Sequence, residues 1–123
     1  MANKKILLVD DEPELIEMIK MRLEANDYEV ITASDGLEAL DKARNENPGL
    51  ILLDLMLPKM DGYRVCRTLK FDQKYRHIFI IIFTARAQES DEKLSKEVGA
   101  DAYITKPFEP QKLLGKIREL LGE

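Results

Sequence analysis

Residues 6–14 read ILLVDDEPE, in which four apolar residues are followed at once by three carboxylates. An apolar run without alternation is typical of a strand that is buried on both faces of a parallel sheet. So much uncompensated negative charge directly after a stretch fit for a protein interior requires a physical reason. The stretch therefore predicts a buried strand that leads into an acidic cluster.

Further short apolar runs recur along the chain between longer amphipathic segments. The runs are EVITA at 29–33, LILL at 50–53, IFIIIF at 78–83 and AYIT at 102–105. The intervening segments carry apolar stripes at helical spacing: Leu15, Ile19 and Leu23; Leu37, Leu40 and Ala43; Leu113, Ile117, Leu120 and Leu121. This alternation predicts an α/β fold, a doubly wound five-stranded parallel sheet of the (βα)5 type with strand order 2-1-3-4-5 and helices on both faces.

Composition limits what such a chain can do. With 123 residues, 45% of them hydrophobic, it suits a single soluble domain over residues 1–123. The net charge of -4 argues against direct nucleic-acid binding, because phosphate contacts need an excess of Lys and Arg. Cys66 is the only cysteine, which excludes an internal disulfide and favours a reducing compartment. No apolar run approaches the roughly 20 residues of a membrane span, so a cytoplasmic protein without a membrane partner is expected.

The carboxylates are predicted to converge. Asp10 and Asp11 follow the first strand, Asp54 ends the third, and the order 2-1-3-4-5 makes these two strands neighbours. Open parallel sheets bind ligands at the carboxyl ends of their strands. Like charges this close raise one another's pKa unless a cation neutralises them, and a carboxylate cluster suits Mg²⁺. We therefore expect a magnesium site at this edge.

A simpler interpretation is that Asp11 or Glu12 caps the helix that begins near Pro13. Capping alone leaves Asp54 unexplained, so the metal site is favoured. Thr84 ends the fourth strand and Lys106 the fifth, and both side chains can contact a phosphoryl group.

Four motifs occur in order along the chain: VDDE at 9–12, LLDLMLPKMDG at 52–62, FTA at 83–85 and GADAYITKPF at 99–108. Together they resemble the receiver domains of two-component response regulators, a family with the flavodoxin-like fold of the chemotaxis regulators. The resemblance implies that Asp54 is the phosphoacceptor and that Asp10, Asp11, Asp54 and the Met56 carbonyl hold Mg²⁺. It also implies that Thr84 and Tyr103 are switch residues, that Lys106 pairs charge with the phosphoryl group, and that the Lys106-Pro107 peptide is cis.

The resemblance further implies a phosphorelay signalling role rather than an enzyme acting on other substrates. A histidine kinase or histidine phosphotransfer protein would supply the phosphoryl group, and the protein would catalyse only its own aspartyl phosphorylation and dephosphorylation. The fourth helix, fifth strand and fifth helix would form the surface that reaches an output domain or target protein, in a monomer or a phosphorylation-dependent dimer. Met56 and Arg86 would set the lifetime of the phosphoryl group.

Three other functions are compatible with parts of the pattern. A flavodoxin-like electron carrier would share the fold, but VDDE would repel the FMN phosphate. A phosphohydrolase of the haloacid dehalogenase type also uses an Asp with Mg²⁺, but resembles D-x-D rather than DD after the first strand. A degenerate receiver that only docks would lack part of the set formed by Asp10, Asp11, Asp54, Thr84 and Lys106.

Overall fold

The computed structural model describes residues 3–85, 93–94 and 96–123. The strands are β1 (Lys5–Val9), β2 (Glu29–Ala33), β3 (Leu50–Asp54), β4 (Phe79–Thr84) and β5 (Ala102–Thr105). The helices with both ends described are α1 (Pro13–Glu24), α2 (Gly36–Glu46), α3 (Gly62–Lys70) and α5 (Pro110–Leu121). Residues 93–94 and 96–97 are also helical, and we refer to these four residues as α4. The alternation of strands and helices predicted from the sequence is confirmed.

All five strands are parallel and lie in the order β2-β1-β3-β4-β5. The doubly wound sheet with strand order 2-1-3-4-5 is therefore confirmed. Because β1 and β3 are paired, with Val9 opposite Leu53, the residues that follow β1 lie beside the end of β3. Asp54 in turn pairs with Phe83 on β4, and Thr84 pairs with Thr105 on β5.

The fourth strand is displaced by one residue from the predicted range 78–83. Ile78 donates its backbone N–H to the Tyr75 carbonyl at 3.0 Å and so belongs to the preceding turn, although its side chain is fully buried. At the other end, pairing with Thr105 extends the strand to Thr84. An apolar residue in a buried turn has the same sequence signature as one in a strand, which explains the shift.

The core has two layers, one on each face of the sheet. Alternate strand residues such as Ile6 and Leu8 pack with Ile19 of α1 and Ile117 of α5. The residues between them, such as Leu7, pack on the other face, where the helix contributions come from α2 and α3: Ala39, Leu40 and Ala43, and Val65, Cys66 and Leu69. The sheet is thus covered on both sides, which leaves the ends of its strands as the accessible polar edge. Among the described residues, none of the helices has the length and apolar character needed to cross a lipid bilayer.

Candidate functional site

Three polar side chains of the described residues are buried, and all three lie at the carboxyl edge of the sheet. They are Asp10 just after β1, Asp54 at the end of β3 and Thr84 at the end of β4, with exposed fractions of 0%, 4% and 0%. Buried carboxylates are costly unless they are paired or bind a cation. Because all three lie at one edge of the sheet, this edge is the candidate functional site.

The acidic cluster is compact. One carboxylate oxygen each from Asp10, Asp11 and Asp54 lies within 4.8 Å of the others. Asp11 is exposed, so the cluster opens to solvent on that side. Three carboxylates with access to water match the preference of Mg²⁺ for oxygen ligands and for keeping part of its hydration shell. The donor set therefore fits a magnesium ion, and the acidic cluster can bind a metal.

Lys106 supplies positive charge to this cluster from the loop after β5. Its Nζ donates to Asp10 Oδ2 at 2.8 Å and lies 3.7 Å from Asp54 Oδ2 and 3.8 Å from Glu12 Oε1. The Lys106 backbone N–H donates to the Thr84 carbonyl at 2.7 Å, which ties this loop to the end of β4. One ammonium among several carboxylates leaves the site anionic and ready to accept a further cation.

Asp54 has an unusual protonation equilibrium. The pKa of its carboxyl group is raised from 3.8 to about 6: burial and the nearby charge of Asp10 raise it, while Lys106 and the backbone N–H groups of Met56 and Leu55 lower it. Desolvation is the largest cause, because the charged carboxylate loses water that the protein replaces only in part. A cation beside Asp54 would remove this penalty and favour the ionised form.

A glycine shapes the backbone beneath Asp54. The Gly62 N–H donates to the Leu55 carbonyl at 3.0 Å, and a Cβ at position 62 would lie 2.3 Å from the Asp54 carbonyl oxygen. No other residue fits there without moving the chain that carries Asp54. Asp61 is the N-cap of α3, and its side chain accepts from the Arg64 N–H at 3.0 Å.

Two of the remaining predicted site residues, Met56 and Tyr103, lie in the described part of the chain. Met56 follows Asp54 at the rim and is 60% exposed, and Tyr103 on β5 is partly buried against the core layer of α2 and α3. Arg86 lies outside the residues that the structure describes. The Lys106-Pro107 peptide is cis, as the sequence resemblance implied.

The capping interpretation is right about the position of Glu12 but not about a capping bond from its side chain. The N-cap of α1 is Glu12 rather than Asp11, and the Glu12 side chain makes no capping hydrogen bond. The Glu12 backbone N–H instead donates to Asp10 Oδ1 at 2.9 Å. Asp10 thus organises the turn that follows β1, while its second oxygen bonds to Lys106.

Two neighbours of Lys106 were not predicted from the sequence. Glu12 approaches the ammonium from the start of α1, and the ring of Phe83 lies beneath it, with Nζ 4.7 Å from the ring centroid. Acidic residues are common at the start of helices, so nothing in the sequence indicated separately that Glu12 lies near Lys106. Side chains alternate along a strand, so Phe83 and Thr84 lie on opposite faces of β4. This alternation could have predicted that Phe83 lies on the side of α1 and α5.

Comparison with known proteins agrees with this geometry. Residues 6–118 match the sequence model of the response regulator receiver domain. The chain belongs to this family. It is 48% identical over 119 residues to the alkaline phosphatase synthesis transcriptional regulatory protein PhoP of Bacillus subtilis, with 97% of this chain and 49% of that protein covered. It is 38% identical to the polar-differentiation response regulator DivK of Brucella ovis, with 98% of both chains covered.

The solved structures include a CheY-like response regulator receiver domain protein from Methanospirillum hungatei. The two chains superpose with a TM-score of 0.91 at 37% identity, covering 97% of this chain and 94% of the other. This receiver domain spans about half the length of PhoP and of several other curated regulators that it matches. DivK, by contrast, matches along nearly its whole length, so the relatives include proteins of about the length of this chain and proteins about twice as long.

Membership of this family decides against the members of other families that were considered for the sequence. Receiver domains accept a phosphoryl group in two-component signalling. This domain is accordingly a signalling regulator rather than a metabolic enzyme, an electron carrier or a phosphohydrolase of the haloacid dehalogenase type.

Proposed function

We propose that residues 1–123 form a single receiver domain in which Asp54 accepts a phosphoryl group from the phosphohistidine of a histidine kinase or histidine phosphotransfer protein. The observation that carries this assignment is the position of Asp54: it is buried at the sheet edge, shares a 4.8 Å cluster with Asp10 and Asp11, and lies 3.7 Å from the Lys106 ammonium. Of the three acids, Asp54 is the one that ends the central strand β3.

Phosphoryl transfer to Asp54 requires an ionised carboxylate as the nucleophile and positive charge that neutralises the phosphoryl oxygens. An Asp54 oxygen attacks phosphorus, the bond from phosphorus to the histidine nitrogen breaks, and its electron pair stays on the imidazole. Lys106 is close enough to pair with the equatorial oxygens once it leaves Asp10. Burial of Asp54 limits the access of bulk water to the resulting acyl phosphate.

Mg²⁺ is the cofactor that we propose for this reaction. The carboxylates of Asp10, Asp11 and Asp54 and the Met56 carbonyl would hold the ion, which when bound supplies charge neutralisation for the phosphoryl group. The fit rests on the spacing of the three carboxylates and on the exposure of Asp11.

Phosphorylation is proposed to act on the output surface through Thr84 and Tyr103. The Thr84 hydroxyl would bond to the new phosphoryl group, and Tyr103 would turn inward, changing the α4-β5-α5 surface that contacts an output domain or target protein. The two states need differ by only a few kcal/mol for phosphorylation to shift their populations. We expect a cytoplasmic protein that is a monomer or a phosphorylation-dependent dimer, without direct nucleic-acid or membrane contacts of this domain.

Acetyl phosphate tests the proposed function without a partner protein. Intact-mass spectra should show the addition of one phosphoryl group when Mg²⁺ is present and none when EDTA removes it. Hydroxylamine should reverse the labelling, because it cleaves acyl phosphates but not phosphate esters. Labelling that resists hydroxylamine or ignores EDTA would contradict a magnesium-dependent aspartyl phosphate.

Asp11→Ala should weaken Mg²⁺ binding. Loss of even an outer-sphere partner of a metal typically lowers affinity about 10- to 100-fold, so loss of a ligand should cost at least about tenfold. Asp11 is exposed, and its replacement is therefore not expected to unfold the domain. Titration with Mg²⁺, followed by tyrosine fluorescence or amide chemical shifts, measures the affinity. Glu14→Ala is the control, since Glu14 is an exposed acid on α1 outside the cluster, and equal affinities of the two variants would remove Asp11 from the ligand set.

Met56 and Arg86 are proposed to slow hydrolysis of the acyl phosphate. Met56 is a flexible apolar side chain at the exposed rim, and Arg86 adds a long basic one two positions after Thr84; neither offers a carboxylate or amide that orients water. Met56→Asn combined with Arg86→Glu should therefore speed loss of the phosphoryl group. Phosphate release after removal of the donor measures the lifetime. A double variant that decays no faster than the wild type would show that these side chains do not control access of water.

A further inference from the structure

The ammonium of Lys106 rests on an aromatic ring as well as among carboxylates. Its Nζ lies 4.7 Å from the ring centroid of Phe83, well within the range of a cation–π contact. Phe83 is 1% exposed and the Lys106 side chain is 14% exposed, so the contact is largely shielded from water. Shielding strengthens this attraction, because the cation has less hydration to exchange for the negative face of the ring.

The ring of Phe83 is itself held in place. Its backbone is paired on both sides within the sheet, with Asp54 on β3 and with Ile104 on β5. Phe108 meets it edge to face, with ring centroids 6.2 Å apart and an interplanar angle of 81°. A T-shaped pair of this kind is a favoured aromatic geometry and restricts the ring plane. Phe83 therefore offers Lys106 a fixed surface.

The carboxylate partners of Lys106 are less constant than the ring. Asp10 and Asp54 bond to or approach the ammonium, yet both are also ligands in the proposed magnesium site, and Glu12 is 66% exposed. A lysine side chain is long and loses about 2 kcal/mol of rotamer entropy when it is fixed. The attraction of the ammonium to the buried ring of Phe83 does not depend on a carboxylate that a cation would also bind.

We propose that Phe83 is a positioning residue for phosphoryl transfer, which holds the Lys106 ammonium at the sheet edge whether or not the acidic cluster is occupied. This inference rests on the proposed function of Asp54 and Lys106. It assigns to a core residue of β4 a part in organising the site, since a pre-positioned cation avoids an ordering cost at the moment of reaction.

The first test is structural and needs neither metal nor donor. In the metal-free protein, the ring current of Phe83 should shift the side-chain methylene protons of Lys106 upfield in NMR spectra, and Phe83→Leu should abolish the shift. Trifluorophenylalanine at position 83 keeps the shape of the ring but withdraws charge from its face. It should therefore leave the packing intact while loosening the hold on the ammonium. Lys106 shifts that are unchanged in Phe83→Leu would overturn the proposal.

The second test measures the rate of labelling by acetyl phosphate with Mg²⁺. We expect Phe83→Leu to slow labelling about 5- to 30-fold, the range that corresponds to loss of a partly to fully desolvated cation–π contact. Trifluorophenylalanine should slow it as well. Ile81→Ala is the matched control, because it removes the same number of side-chain carbon atoms from the same strand and the same core layer. Labelling should change less than about twofold in this control if the effect is specific to the ring.

The outcomes separate the two proposals. If Ile81→Ala and Phe83→Leu slow labelling equally, or if the trifluorophenylalanine variant labels at the wild-type rate, the positioning role is overturned. Loss of core packing would then explain any slower labelling of Phe83→Leu. Absence of labelling in the wild type would contradict the proposed function, and the Lys106 proton shifts would then decide alone whether Phe83 holds the ammonium.

Discussion

Asp54→Asn is expected to abolish labelling by acetyl phosphate. The amide has almost the same size as the carboxylate but is a poor nucleophile, so it should preserve the packing while it removes the attacking oxygen. Asp54 is 4% exposed and lies among the ends of three strands, which leaves little room for another acid to take its place. Intact-mass spectra should show no added phosphoryl group under conditions that label the wild type fully.

A matched control and a mapping step complete this experiment. Asp41→Asn makes the same chemical change at an exposed position of α2 and should label normally. Reduction of the acyl phosphate with borohydride followed by peptide analysis should mark Asp54 in the wild type. Labelling of Asp54→Asn at the wild-type level would assign the phosphoacceptor to another residue, with Asp10 and Asp11 the nearest alternatives.

The sheet could be predicted from the sequence because its central strands are buried on both faces. Runs such as ILLV at 6–9 and LILL at 50–53 have no polar face, and all of their residues are buried, which is the signature of a parallel sheet between two helix layers. The start of β4 was misplaced by one residue because Ile78 is buried in a turn. An apolar residue is expected both in a buried turn and in a buried strand, so the sequence alone does not distinguish the two.

The site could be predicted only as far as topology determines it. Pairing of β1 with β3 follows from the strand order, and this pairing is what brings Asp10 and Asp11 to Asp54. The direct bond from Lys106 to Asp10 and the stacking of Lys106 on Phe83 depend on side-chain directions in a loop. The raised pKa of Asp54 depends on how much water its burial removes, which only the folded structure reveals.

Asp54→Asn should also stabilise the metal-free protein at alkaline pH. The pKa of Asp54 is raised to about 6 in the folded protein from 3.8, so the folded state binds this proton more tightly than the unfolded chain. Stability contributed by the protonated carboxyl is therefore present at low pH and lost as pH rises from about 4 through about 6. A pKa shift of this size corresponds to a loss of about 3 kcal/mol in the free energy of unfolding once the pH is above about 6.

The amide behaves as a permanent copy of the protonated carboxyl group. Urea unfolding in EDTA should give Asp54→Asn a free energy of unfolding about 2 to 3 kcal/mol above that of the wild type at pH 8, and less than about 1 kcal/mol above it at pH 4. Asp41→Asn should show no comparable gain, because its carboxylate is exposed. A gain that is independent of pH, or a loss at pH 8, would contradict the linkage to burial of Asp54.

Magnesium should reverse this order of stability. A ligand that binds only the folded state stabilises it in proportion to the logarithm of its concentration over the dissociation constant. The wild type, with all three carboxylates of the acidic cluster, should therefore gain stability on addition of Mg²⁺ at pH 8, whereas Asp54→Asn should gain much less. If the free energies of unfolding of the two proteins converge and then cross as Mg²⁺ rises, the energetic cost of the buried carboxylate is tied to its role as a metal ligand. Parallel curves would instead indicate that the ion binds without Asp54.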